Sequence, residues 1–133
     1  MTDTTPAAVA ADYFAALGRG DVPAAMGLLS PDIVWHQPGA NRFTGAHTGV
    51  EAVGTLLSGM MATSQGTFEL AVTGPPMTNG EHVAVPVRFR GARDGATMDM
   101  AGLDLLTIRD GRIVEVRLFS EDGPAEDAFW GAG

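Results

Sequence analysis

The sequence predicts an α+β fold: three N-terminal helices packed on a strongly curved antiparallel sheet, with a central apolar pocket between them. Three observations point there. Apolar stripes at helical spacing, opened by N-cap residues, fill the first half, and alternating apolar residues divided by Asn-Gly and Asp-Gly turns fill the second. Gly102 falls inside the longest strand pattern, where a missing side chain eases a bend. Asp104 falls on the apolar face of that same strand, which marks the face as a candidate site.

Thr5-Pro6 opens the first helix, with threonine at the N-cap and proline at the first helical position. The helix runs to about Leu17, carries Val9, Tyr13 and Leu17 on one stripe, and stops at Gly18-Arg19-Gly20. Asp21 caps a second helix, with Pro23 in its first turn, that ends near Leu29. Ser30-Pro31-Asp32 breaks the pattern. Residues 33–37 read as a short strand ended by Pro38-Gly39, and a polar loop follows over 40–47. Thr48-Gly49-Val50-Glu51 matches a capping box. It opens a third helix with Val50, Val53, Leu57, Met60 and Met61 on one side.

A β-meander comes next. Phe68, Leu70 and Val72 alternate with polar or small residues, and Asn79-Gly80 is a hairpin turn signal. Val83, Val85, Val87 and Phe89 alternate through the following strand, where Pro86 argues for an edge position or a bulge. Asp94-Gly95 turns into a long strand over 97–109, and Asp110-Gly111 turns into the last strand over 112–119. The tail from Ser120 is acidic, then aromatic at Phe129-Trp130, and is assigned no element.

A chain of 133 residues suits one domain, residues 1–133. The formal charge of −8 and the absence of a basic stripe argue against a nucleic-acid partner. No apolar run is long enough to span a membrane, and the N-terminus lacks a basic segment followed by an apolar one, so a cytoplasmic protein is expected. The eight basic residues are all arginine, which excludes a lysine Schiff base. Cysteine is absent, which excludes thiol catalysis, disulfides and cysteine-metal sites. His36, His47 and His82 lie on separate elements without ligand spacing, so neither a metal nor an organic cofactor is expected. There is no phosphate loop and no nucleophile elbow.

The remaining chemistry falls on few residues. Strand alternation groups Asp104 with Met98, Met100, Gly102, Leu106 and Ile108. Asp104 is then an acid, a base or a hydrogen-bond donor in an apolar pocket, its pKa raised by desolvation. The plainer alternatives are an ion pair with Arg88 or Arg117, or a register shift at Gly102 that turns it outward. Tyr13 either points its phenol into the hollow or is a core tyrosine with its hydroxyl at the surface. Trp35 and Gln37 share a strand face and line the pocket or end the strand. His36 has the opposite parity, His47 sits in a loop, and His82 starts a strand facing solvent. Phe43, Met60, Met100 and Leu106 complete the expected apolar lining.

Four segments carry a likeness: residues 13–21, Trp35-His36-Gln37-Pro38-Gly39, residues 43–53 and residues 109–115. Together they resemble the SnoaL-like polyketide cyclase and ketosteroid-isomerase-like group of the nuclear-transport-factor-type, cystatin-like α+β cone superfamily. The likeness spans nearly the whole chain. It implies a cone-shaped domain, a small apolar metabolite as ligand, no cofactor, and a homodimer through the outer sheet face. It places Tyr13 where isomerases carry an oxyanion-hole tyrosine. Asp104 falls on the protonated aspartic acid of the same hole, or on the acid/base of aldol ring closure in the cyclases.

Three departures qualify the likeness. Gln37 stands where isomerases carry their general-base aspartate, and an amide cannot take a proton from carbon. Ether-ring-forming cyclases of this fold use two acids, and this chain displays one. The Asp-Arg-Asp set of limonene-type epoxide hydrolases is not matched, since Gly102 takes the arginine's place. The resulting expectation is a cyclase, isomerase or lyase acting on a carbonyl-containing, polyketide-like metabolite. Asp104 shuttles a proton, Tyr13 donates to an enolate oxygen, and Gln37 orients the substrate. His36 is a reserve base if its strand bulges inward. The alternatives are a non-catalytic ligand-binding or dimerisation module, and an epoxide-opening enzyme that needs a second acid near Asp104.

Overall fold

The computed structural model describes residues 3–132. Helix α1 (Pro6–Gly18) starts where the Thr5 hydroxyl oxygen accepts the Ala8 N–H at 3.4 Å, with Pro6 supplying a preset first turn. Helix α2 (Val22–Met26) is capped by Asp21, whose Oδ1 accepts the Ala24 N–H at 3.2 Å. It is shorter than the sequence pattern suggests, because strand β1 (Leu29–Gln37) already begins at Leu29. Ser30-Pro31-Asp32 is drawn into that strand through an irregularity between Leu29 and Val34, which accommodates the proline.

Strand β2 (Gly45–Thr48) forms inside the expected polar loop and pairs antiparallel with β1, from Gln37 opposite Gly45 to Val34 opposite Thr48. Helix α3 (Val50–Thr63) follows. Its N-cap is Gly49, at φ 94°, and no side chain caps it. The capping box read from Thr48 to Glu51 is therefore not formed, since Thr48 belongs to the β2 ladder.

The meander is β3 (Glu69–Val72), β4 (Met77–Asn79), β5 (His82–Arg93), β6 (Ala96–Arg109) and β7 (Arg112–Ser120). The sheet runs β2-β1-β7-β6-β5-β3, with β4 also on β5. Its pairs are antiparallel except β1 with β7, which is parallel. Asp110 and Gly111 both take positive φ, at 53° and 75°, as the tight turn between β6 and β7 demands. Pro86 sits in the middle of β5 yet breaks no ladder. Its carbonyl accepts the Thr73 N–H at 3.0 Å on the side away from β6, between the stretches covered by β4 and β3. The missing N–H thus falls on a local edge.

Helix α4 (Gly123–Trp130) closes the chain, in the tail that the sequence reading left unassigned. Asp122 caps it, accepting the Ala125 N–H at 3.0 Å. The helix is tied to the loop after β1, where the Ala40 N–H and the Asn41 amide both donate to Asp127 Oδ1 at 2.9 and 2.8 Å. The core lies between one sheet face and the helices: Val83, Val85 and Val87 of β5 and Leu106 and Ile108 of β6 are buried with Val9 of α1 and Val53 of α3. Among the described residues no helix is long and apolar enough to cross a membrane.

Candidate active site

The helices do not fill the hollow of the sheet. A cavity of about 1200 Å³ remains, lined by residues of α1, α3, the sheet and α4. Gly102 shapes one wall. A Cβ there would meet the Phe89 ring at 2.7 Å and the Phe119 carbonyl at 2.8 Å, so β6 and the Phe89 ring touch in a way no other residue permits.

Asp104 lines this cavity from β6. Strand alternation holds as expected: Met98, Met100, Asp104, Leu106 and Ile108 are all buried. Asp104 is 8% exposed, and among the described residues its carboxyl has no hydrogen-bond or ionic partner. Both expected arginine partners are engaged elsewhere on the outer surface. Arg88 pairs with Asp99 at 2.7 Å, and Arg117 with Glu115 at 3.3 Å. Desolvation, and secondly the charge of Glu126, push the Asp104 carboxyl up to about 7. Near neutral pH it therefore holds and releases a proton with comparable ease.

Tyr13 reaches the same cavity from α1. Its ring packs edge-on against Phe14, with centroids 5.1 Å apart. The residue is 3% exposed, and among the described residues its hydroxyl makes no hydrogen bond. Burial first, and the Asp104 charge second, raise its pKa, so the phenol stays protonated and remains a donor.

Gln37 and Trp35 line the cavity together from the end of β1. The Trp35 indole N–H donates to Gln37 Oε1 at 3.0 Å. That bond takes one lone pair of the amide oxygen and fixes the orientation of the amide, whose N–H groups have no protein acceptor among the described residues. Gln37 is thus a positioned donor, not a proton acceptor.

His36 lies off the cavity. Its Nε2 is 2.9 Å from Glu115 Oε2 on β7, with about a third of the side chain exposed. The strand does not bulge inward there, so the condition for a reserve base is not met. The His36 hydrogen bond is the main reason the Glu115 pKa is lowered. Of the expected apolar lining, Met60 is in place. Phe43, Met100 and Leu106 are not. Phe43 packs against Trp130, ring centroids 5.2 Å apart, and Met100 and Leu106 sit within the packed core. His47 is bound to the Phe43 carbonyl at 2.8 Å, and His82 to the Thr107 hydroxyl at 3.0 Å.

The sequence reading missed Glu126. It is buried on α4 and lines the cavity. Its Oε1 accepts the Ser120 hydroxyl at 2.5 Å, and its Oε2 accepts the Trp130 indole N–H at 3.1 Å. Ser120 stands opposite Gly102 and Leu118 opposite Asp104, so the Ser120 anchor is a diagonal cross-strand neighbour of Asp104. Two signals were available: the Asp122-Gly123-Pro124 start, like Asp21-Val22-Pro23, and the four-residue spacing that puts Glu126 and Trp130 on one helical face. Trp130 also meets Phe68 and Phe129, with centroids 5.7 and 4.9 Å away. Among the described residues, no three histidine, aspartate or glutamate side chains are grouped to hold a metal.

Residues 10–116 match the family of SnoaL-like domains. No curated protein matches the chain. A Xanthomonas campestris protein of unknown function with a cystatin-like fold is 45% identical, over 96% of this chain and 98% of its own, with a TM-score of 0.91. Bal32a, from a soil-derived mobile gene cassette, is 25% identical over 95% of this chain and 96% of its own, at a TM-score of 0.88. A candidate polyketide cyclase from Pseudomonas putida, 19% identical over 92% of this chain and 97% of its own, superposes at a TM-score of 0.71 and shares the fold.

Proposed function

Because the chain belongs to the SnoaL-like domain family, we propose that it is an acid–base enzyme of the cyclase or isomerase type, acting without a cofactor on a carbonyl-containing, polyketide-like metabolite. Asp104 carries this reading. It is a buried carboxyl with no protein partner, it faces a large cavity, and it titrates near neutrality. A group so placed takes a proton from the carbon beside a carbonyl and returns it at a second carbon or oxygen. Tyr13, kept protonated by burial, donates to the oxygen on which enolate charge develops. Gln37, its oxygen held by Trp35, donates to a second oxygen of the substrate and fixes its orientation. The apolar lining from Met60, Phe68 and Phe89 holds the carbon skeleton.

The test is solvent deuterium exchange at the α-carbon of cyclic diketones, followed by NMR. D104N is expected to slow exchange by about 10²–10⁴-fold, and Y13F by about 10²–10³-fold. Exchange at the wild-type rate in D104N would overturn the reading. A second reading, a pocket that holds its ligand without converting it, draws on Gln37, whose amide stands where a base would be needed. Tight ketone binding with no exchange in the wild-type protein would favour it.

A further inference from the structure

The cavity has a lopsided charge inventory. Asp104 and Glu126 face it from the interior and Glu51 stands at its rim, while among the described residues no arginine or histidine lines it. Arg88, Arg117 and Arg109 are committed to acids on the outer surface, Asp99, Glu115 and Glu81 in turn, and Arg93 lies over the Phe129 ring of α4, 5.7 Å from its centroid, without lining the cavity. Glu126 is fastened by two donors, Ser120 and Trp130, one on each oxygen. A carboxylate has roughly four acceptor sites, so about two remain free. Asp104 has all of its own free. Around these acids stand the aromatic side chains of Trp35, Phe68, Phe89 and Trp130.

We propose that the ligand of this cavity carries a protonated amine, seated between Asp104 and Glu126 with its apolar body against the aromatic walls. The inference rests on the reading of the cavity as the substrate site and names the class of substrate. Two carboxyls lining one cavity without a cation are costly to ionise together, and a neutral or anionic occupant deepens that cost by expelling water. An ammonium offsets it at both acids, and aromatic faces add a further attraction for a cation. The unpartnered Tyr13 hydroxyl points to a ligand independently of the acids. Tyr13 lines the same space, and its hydroxyl, without a protein partner, fits a carbonyl on the same molecule.

Seating the cation also completes the acid–base chemistry. The titratable groups facing Asp104 across the cavity are Glu126 from α4, the neutral Tyr13 phenol from α1 and Glu51 at the α3 rim, with the neutral amide of Gln37 on β1. A cation beside Asp104 favours its ionised form, so the loaded site holds a base at neutral pH. Binding then releases a proton below pH 7. Amine affinity therefore rises with pH until Asp104 is ionised in the free protein.

The experiment is calorimetric titration with three matched probes: naphthyl-ethylamine, naphthyl-ethanol and naphthylacetic acid. At pH 8 the amine is expected to bind at least about tenfold tighter than the alcohol, and the acid weakest. Between pH 8 and pH 6 the amine-to-alcohol preference should fall several-fold. In E126Q, whose amide can still accept from Trp130 and meet Ser120, the preference should fall by about tenfold. Equal binding of amine and alcohol, tighter binding of the acid, or a preference untouched by E126Q would overturn the inference. If the alcohol and the diketones bind or exchange without amine preference, only the inference fails. If none of the probes or diketones binds, the cavity is not a substrate site and both readings fail.

Discussion

Replacing Asp104 with asparagine keeps the shape of the side chain and deletes its ability to ionise, which turns burial into a measurable energy. The native carboxyl titrates at about 7 against 3.8 for an ordinary aspartate. The sign follows from the raised value: the folded state binds the proton more tightly than the unfolded one. Ionising Asp104 therefore destabilises the fold. Its contribution is fully present below pH 4 and is lost as pH rises to 7. The difference of about 3 in pKa, at 1.36 kcal/mol each, gives roughly 4 kcal/mol, and water in the open cavity makes this an upper bound. The assay is chemical denaturation of both proteins from pH 4 to pH 8.5. Groups not coupled to Asp104 titrate alike in the two, so the difference between the curves isolates Asp104 together with its coupling to Glu126 and Tyr13. D104N should gain on the wild type steadily between pH 4 and pH 7 and hold that gain above it. A difference that stays flat across the range would refute the reasoning, because it would mean that Asp104 is solvated or paired.

Two further outcomes follow from the geometry. Gly102→Ala places a methyl against the Phe89 ring and the Phe119 backbone. It should cost about 1–3 kcal/mol in thermal or chemical denaturation and weaken ligand binding, since Phe89 is a cavity wall. His36→Ala removes a pair with Glu115 that is about one-third exposed. It should cost about 0–1 kcal/mol, less at high salt, and leave deuterium exchange at the wild-type rate.

The sequence disclosed those features that local rules determine. The face of Asp104 followed from two-residue alternation, and Asn79-Gly80, Asp94-Gly95 and Asp110-Gly111 marked turns in which Gly80, Gly95, Asp110 and Gly111 take positive φ. Features decided by distant partners stayed hidden. β2 is held to β1 by backbone bonds and needs no apolar pattern of its own. Phe43 was expected in the pocket, but Trp130, far along the chain, holds it elsewhere. Pro31 looked like a helix breaker that ended one element, whereas it sits inside the next, at an irregularity in the β1–β7 pairing. Glu126 was out of view for the same reason. Its burial depends on a short helix being drawn over the cavity by Asn41, Ser120 and Trp130.

The parallel pairing of β1 with β7 bears on how the chain reaches this state. β1 has two neighbours, and one of them, β7, lies about eighty residues further along, the separation between His36 and Glu115. Such a contact is entropically expensive until the intervening meander has formed, and contacts of this span slow folding. During synthesis, the segment bearing Trp35 and Gln37 can pair with β2 early, but it leaves the ribosome long before its β7 partner exists. The cavity is then assembled in order of emergence: a hairpin carrying Asp104 first, the β1 wall when the last strand arrives, and the Glu126 helix after that. A chain cut short before residue 120 would carry Asp104 and Tyr13 and still have no enclosed site.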